Sequence, residues 1–231
     1  MSSPQATRRF FEGFTLVELL VVIAIMAILA SLLLAGFGRI RTSADATKDA
    51  SNLKTIGVAV QQYAAEFGGQ LPLINEGGIG PDGMRGAWER HIATYLDLQT
   101  NQFVAGQRPP GVFASPGGKA RVAANVWEIS SDYARNRMLA VNGSASETNK
   151  PTRQTSLSRL GTIFFAVSSG VATNKAQMVS TATIATDARL FGKNANVLFL
   201  DGHIEQRNPK STNDFPTDNT KFPWTDNGWA N

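Results

Sequence analysis

Gly13-Phe14-Thr15-Leu16-Val17-Glu18 opens a run that decides the fold: Leu-Leu-Val-Val-Ile-Ala-Ile-Met-Ala-Ile-Leu-Ala-Ser-Leu-Leu-Leu-Ala-Gly-Phe-Gly, residues 19–38, without a charge. Twenty helical residues reach about 30 Å, the thickness of a bilayer's hydrocarbon core. Glu18 stands at the head of this run. A carboxylate at mid-bilayer costs roughly 2.5–3.5 kcal/mol on insertion scales, so it needs a partner or a role. The basic residues upstream, Arg8 and Arg9, lie nine or more positions away. A cut between Gly13 and Phe14 would supply a nearer cation. It would free an amine on Phe14, four positions before Glu18, where helical neighbours share a face.

The helical pattern continues past the run. Ile40, Ala44, Thr47, Ala50, Leu53, Ile56, Val60, Tyr63 and Phe67 recur at steps of three and four. Asp45, Lys48, Asp49, Asn52 and Lys54 are expected on the opposite, polar face. No proline falls between Pro4 and Pro72, and Gly68-Gly69 reads as a stop. The expectation is one helix from about Phe14 to Phe67, its first half in lipid and its second half packed on the chain's own domain. Gly36 and Gly38 are its soft points.

Beyond Gly69 the sequence turns loop-rich. Trp88–Leu98 reads as a short helix, 131–136 as the start of a core segment, and Thr162–Val167 and Met178–Ala185 as strands. Ala195–Leu200, Asp201-Gly202 and His203-Ile204-Glu205 form a hairpin signature. Residues 142–156 read as an exposed loop. The tail from Asn208 reads as irregular, with Trp224 and Trp229 as docking points. The fold class is α+β: a long transmembrane-plus-soluble N-terminal helix packed on a C-terminal antiparallel sheet with long loops. The expected domains are a leader over 1–13, a membrane helix over 14–38, its soluble continuation over 39–67, and a globular domain over 68–231.

Composition narrows function. A net charge of +4 without a basic cluster argues against a nucleic-acid partner. The absence of cysteine excludes thiol catalysis, zinc-thiolate sites and disulfides. No Gly-x-Ser-x-Gly, phosphate loop or dinucleotide fingerprint is present. Asp201, His203 and Glu205 alternate along one strand face and could in principle bind a divalent ion. Asp-Gly is foremost a turn dipeptide, so the reading here is structural, with no metal and no cofactor. His91 reads as surface or packing.

Gly13, Phe14 and Glu18 at this spacing, after a short basic leader and before an apolar helix, resemble the processing site of type IV prepilins and type II secretion pseudopilins. The resemblance implies cleavage after Gly13 and N-methylation of Phe14 by a prepilin peptidase. It implies a non-enzymatic filament subunit in which Glu18 serves assembly. Its partners would be other pilin or pseudopilin subunits, an inner-membrane assembly machinery and the lipid bilayer. The chain would be single-pass in the inner membrane, with its globular domain in the periplasm or on an extracellular filament. A membrane-tethered cell-envelope binding protein that never polymerises is the alternative. The soluble part is similar, more weakly, to a prepilin-associated group marked by a His-(nine residues)-Asp-Gly signature. Tyr133-Ala134-Arg135-Asn136 and Asn196 to His203 carry that likeness. Phe191 stands at the signature histidine's position, and Ser115 where the group often has cysteine before proline.

Overall fold

The computed structural model describes residues 14–72, 88–102, 109–116, 131–136, 139, 164–168, 177–178 and 190–211. The chain divides into two compact units, one ending at Arg41 and the other beginning at Thr42.

Helix α1 runs Leu16–Glu66, 51 residues, within two residues of the sequence expectation at its start and one at its end. It passes through Gly36 and Gly38 without a break. Each end has a chemical stop. At the N-terminus, Thr15 and Glu18 form a capping box, described below. At the C-terminus Gly68 and Gly69 take φ of +62° and +81°, and the Gly69 N–H reaches the Ala64 carbonyl at 2.6 Å. That bond satisfies one of the carbonyls a helix leaves unpaired, at positions where residues with a Cβ would be strained.

In the first unit the large apolar side chains of α1 are exposed, from Leu16 at 80% to Ile40 at 67%. The helix is long and apolar enough to cross a membrane. The hydroxyl of Ser31, polar within this run, donates to the Ile28 carbonyl at 2.7 Å. That internal bond would offset the cost of an unpaired hydroxyl in apolar surroundings.

In the second unit α1 buries Leu53, Ile56, Ala59, Val60 and Tyr63. They share a core with Trp88, Phe113, Tyr133, Phe165 and Leu198. The stripe expected from sequence holds from Leu53 onward, but Ile40, Ala44 and Thr47 are exposed. Two polar positions are corrected. Asp49 and Asn52, expected on the wet face, are buried, because polar side chains from distant segments meet them there.

The short helix α2 covers Trp88–Ala93 and continues as a 3₁₀ turn, Thr94–Leu96. The sheet has five strands: β1 Tyr133–Asn136, β2 Phe164–Ser168, β3 Gln177–Met178, β4 Ala195–Phe199 and β5 Ile204–Arg207, in the order β3-β1-β2-β4-β5. β1, β2, β4 and β5 pair antiparallel. These four make the expected antiparallel sheet, and the two-residue β3 adds to its edge parallel to β1. β4 and β5 form the expected hairpin, with Leu198 opposite Ile204 and Gly202 at φ +87° in the turn. The expected strand over Met178–Ala185 begins in β3; its remainder, the 142–156 loop and the tail beyond Ser211 lie outside the described residues.

Gly57 sets the distance between α1 and the sheet. A Cβ built there would lie 2.9 Å from Leu198 Cδ1, so the helix backbone sits directly against β4. Two further bonds fasten α1 to the hairpin turn. Lys54 Nζ donates to the Gly202 carbonyl at 2.9 Å, and Gln61 Nε2 donates to the Leu200 carbonyl at 2.5 Å.

Candidate functional site

Phe14 and Thr15 are non-helical, and α1 begins at Leu16. Thr15 is therefore the N-cap and Glu18 the third helical residue. The Glu18 N–H donates to Thr15 Oγ1 at 3.2 Å. Glu18 Oε2 accepts from the Thr15 N–H at 2.9 Å and from Thr15 Oγ1 at 2.8 Å. This reciprocal Thr-x-x-Glu arrangement satisfies two of the donors a helix start leaves open. It also places a negative charge where the helix dipole favours one. Phe14 is 76% exposed. Gly13 lies outside the described residues. Sequence reasoning placed Glu18 at the head of the span but missed its partnership with Thr15, which the Thr-x-x-Glu spacing alone signals.

In the second unit a buried polar hub centres on Asp49. Its Oδ1 accepts from the Ser115 hydroxyl at 2.7 Å and from the Tyr133 hydroxyl at 3.0 Å. Its Oδ2 accepts from Asn196 Nδ2 at 2.9 Å. Asn196 Nδ2 also donates to the Ala46 carbonyl, and its Oδ1 accepts from Gln206. Asn52 Nδ2 donates to the Ala114 carbonyl and to the Tyr133 oxygen. The Ser115 N–H donates to Asp132 Oδ2 at 2.9 Å. One carboxylate thus joins α1, the segment before Pro116, β1 and β4. Burial, with the Asp49 charge beside it, holds the Tyr133 hydroxyl well above the ordinary tyrosine range. The hub's donors are neutral, and its chemistry is that of fixing segments in register.

A second buried cluster surrounds Arg135. Its guanidinium donates to the Pro72 carbonyl and lies 5.0 Å from the Phe165 ring centre. Burial lowers its pKa to about 9, against the Glu89 carboxylate, which raises it. His91 is buried and meets Tyr63 edge-on at 6.1 Å, a packing role.

Asp201, His203 and Glu205 do come together. Asp201 Oδ1 lies 2.5 Å from His203 Nδ1 and accepts the His203 N–H at 3.0 Å. His203 Nε2 lies 3.5 Å from Glu205 Oε1, and its ring stacks on Phe199 at 4.3 Å. Glu205 pairs with Arg207 at 2.8 Å. The side chains face one another as a turn lock. Among the described residues no group of three or more His, Asp and Glu is arranged to hold a metal ion.

The family model for the prokaryotic N-terminal methylation motif matches residues 8–34, the stretch that holds Gly13, Phe14, Glu18 and most of the apolar run. The match supports a prepilin-like protein. Together with the exposed apolar helix it fits a single-pass membrane protein. No curated protein and no solved structure matches the chain.

Proposed function

We propose that this chain is a structural subunit of a type IV pilus-like or type II secretion pseudopilus filament. In this reading residues 1–13 are a leader, removed by a prepilin peptidase, and Phe14 is the methylated first residue of the mature chain. Residues 14–38 hold the precursor in the inner membrane, and the domain beyond lies in the periplasm or on the finished filament. One coincidence carries the reading: the methylation-motif match falls on a helix whose apolar side chains are exposed and whose first turn bears the charged Glu18.

The physical sequence has three steps. The apolar helix partitions into lipid, where its exposed side chains lose water. Cleavage then creates the Phe14 amine. On transfer into a filament, the apolar helices leave lipid and pack on one another, and Glu18 pairs with the Phe14 amine of an adjacent subunit. Pairing offsets the cost of burying either charge alone and favours one axial register. The fold's second unit supplies the outward surface. The role is structural and needs no cofactor.

The test is to replace Glu18 with Ala and measure sheared extracellular filaments in the presence of the assembly machinery. The wild type is expected to yield filaments and Glu18→Ala to yield few or none. Unchanged yield from Glu18→Ala would remove the assembly role. Absence of filaments from the wild type would favour a tether that does not polymerise.

A further inference from the structure

Arg39 and Arg41 directly follow the uncharged run 19–38, and both are exposed on α1. Neither guanidinium has a hydrogen bond or ion pair among the described residues. The nearest acid in sequence, Asp45, lies one turn beyond Arg41 and forms no ion pair with it. We propose that Arg39 and Arg41 bind the phosphates of phospholipid headgroups at the end of the span remote from Glu18. The inference rests on the reading that α1 crosses the bilayer.

Position, surroundings and chemistry agree. Arg39 stands 21 positions after Glu18 on one unbroken helix. That is a rise of about 31 Å, close to the roughly 30 Å of a bilayer's hydrocarbon core. With Glu18 at one boundary, Arg39 falls at the other. Phe37 and Ile40, 61% and 67% exposed, surround Arg39 with apolar surface. This turn therefore belongs at the hydrocarbon edge and not in open water. There the arginine stem lies along acyl chains while its guanidinium reaches the headgroup layer. Residues two apart on a helix point about 200° apart, so Arg39 and Arg41 leave opposite sides of α1 and meet separate lipids. The guanidinium fork matches two oxygens of a phosphate, which a point charge cannot do. Glu18 carries the wrong sign for phosphate, so this recognition belongs to the arginine end of the span alone.

The test titrates the full-length chain in neutral detergent with phosphatidylglycerol, or with a galactosyl diacylglycerol of the same acyl chains. Native mass spectrometry counts the lipids that stay bound. The wild type is expected to retain phosphatidylglycerol in preference to the galactolipid. Arg39→Gln and Arg41→Gln are each expected to weaken phosphatidylglycerol binding about fivefold, the order of one basic residue at an anionic surface. The double variant should lose about 25-fold if the two sites are independent. Glutamine is a good helix former, so α1 itself should persist. A double variant that retains phosphatidylglycerol like the wild type would overturn the inference. If that variant also failed to form filaments, the arginines would belong to an acidic surface of a neighbouring subunit instead. Equal retention of the two lipids by the wild type would overturn it as well, since phosphate would then not be recognised. The membrane reading is tested separately by flotation: a wild-type chain that does not float with phospholipid vesicles would remove the premise.

Discussion

The Tyr133 hydroxyl donates to the Asp49 carboxylate across 3.0 Å, linking a strand of the sheet to the long helix 84 residues earlier in the chain. Both residues are fully or almost fully buried. A buried carboxylate is tolerated only where donors surround it, and here Ser115 and Asn196 complete the set. The hub therefore specifies which face of α1 meets the sheet.

Removing the acceptor leaves those donors buried and unpaired. Asp49→Ala is expected to lower unfolding stability by about 3–5 kcal/mol. Tyr133→Phe, which removes one donor, is expected to cost about 1–2 kcal/mol. Chemical denaturation of the full chain in detergent measures both. In the double variant the losses should fall well short of additive, because the two residues share one interaction.

Alkali tests the same contact from the other side. The Tyr133 hydroxyl is held well above its ordinary value when folded, so the folded chain keeps a proton that the unfolded chain loses near pH 10. Above that pH the unfolded state binds fewer protons, and stability falls as pH rises. The stability advantage of wild type over Tyr133→Phe should hold below about pH 10 and shrink above it. A difference that stays constant to pH 11 would mean that Tyr133 ionises freely in the fold.

Much of this architecture is legible without coordinates. The three- and four-residue spacing from Leu53 to Tyr63 marks the buried face, and Asp201-Gly202 between apolar and alternating runs marks the β4–β5 hairpin. The hub is not legible in the same way. Asp49 and Asn52 are polar, and what makes their burial possible lies far off in sequence, at Ser115, Tyr133 and Asn196. Weak signals exist: Asp49, Asn52, Leu53 and Ile56 share one helical face, and Asn196 interrupts an apolar strand. The Thr15–Glu18 box is local and fully written in the residues. It is overshadowed by the apolar run that follows.

Close approach at Gly57 predicts a packing penalty. Gly57→Ala gains about 1 kcal/mol of helix propensity, but its methyl meets Leu198 Cδ1 at 2.9 Å. Leu198 is fully enclosed between helix and sheet, so overpacking of about 1–3 kcal/mol should dominate. A lowered Tm for Gly57→Ala, and a larger drop for Gly57→Val, are the expected outcomes. An unchanged Tm for both would show that β4 yields freely.

Acid should loosen the hairpin turn. Burial pushes the Asp201 carboxyl up, but the hydrogen bonds from the His203 N–H and ring more than offset this and hold it below the ordinary range. Its contribution is present above the unfolded carboxylate value of about 3.9 and is lost as pH falls through the lower folded value. Asp201→Asn should remove that acid-dependent part while leaving the stability curve above pH 6 nearly parallel to wild type. Amide hydrogen exchange at Phe199 and His203, read between pH 3 and pH 6, localises the effect.

The most direct measurement of the central claim is the intact mass and N-terminal fragment spectrum of this chain in sheared extracellular filaments. The account predicts a subunit that lacks residues 1–13 and begins at N-methylated Phe14. A filament subunit beginning elsewhere, or a chain confined to the membrane fraction with its leader intact, would contradict it.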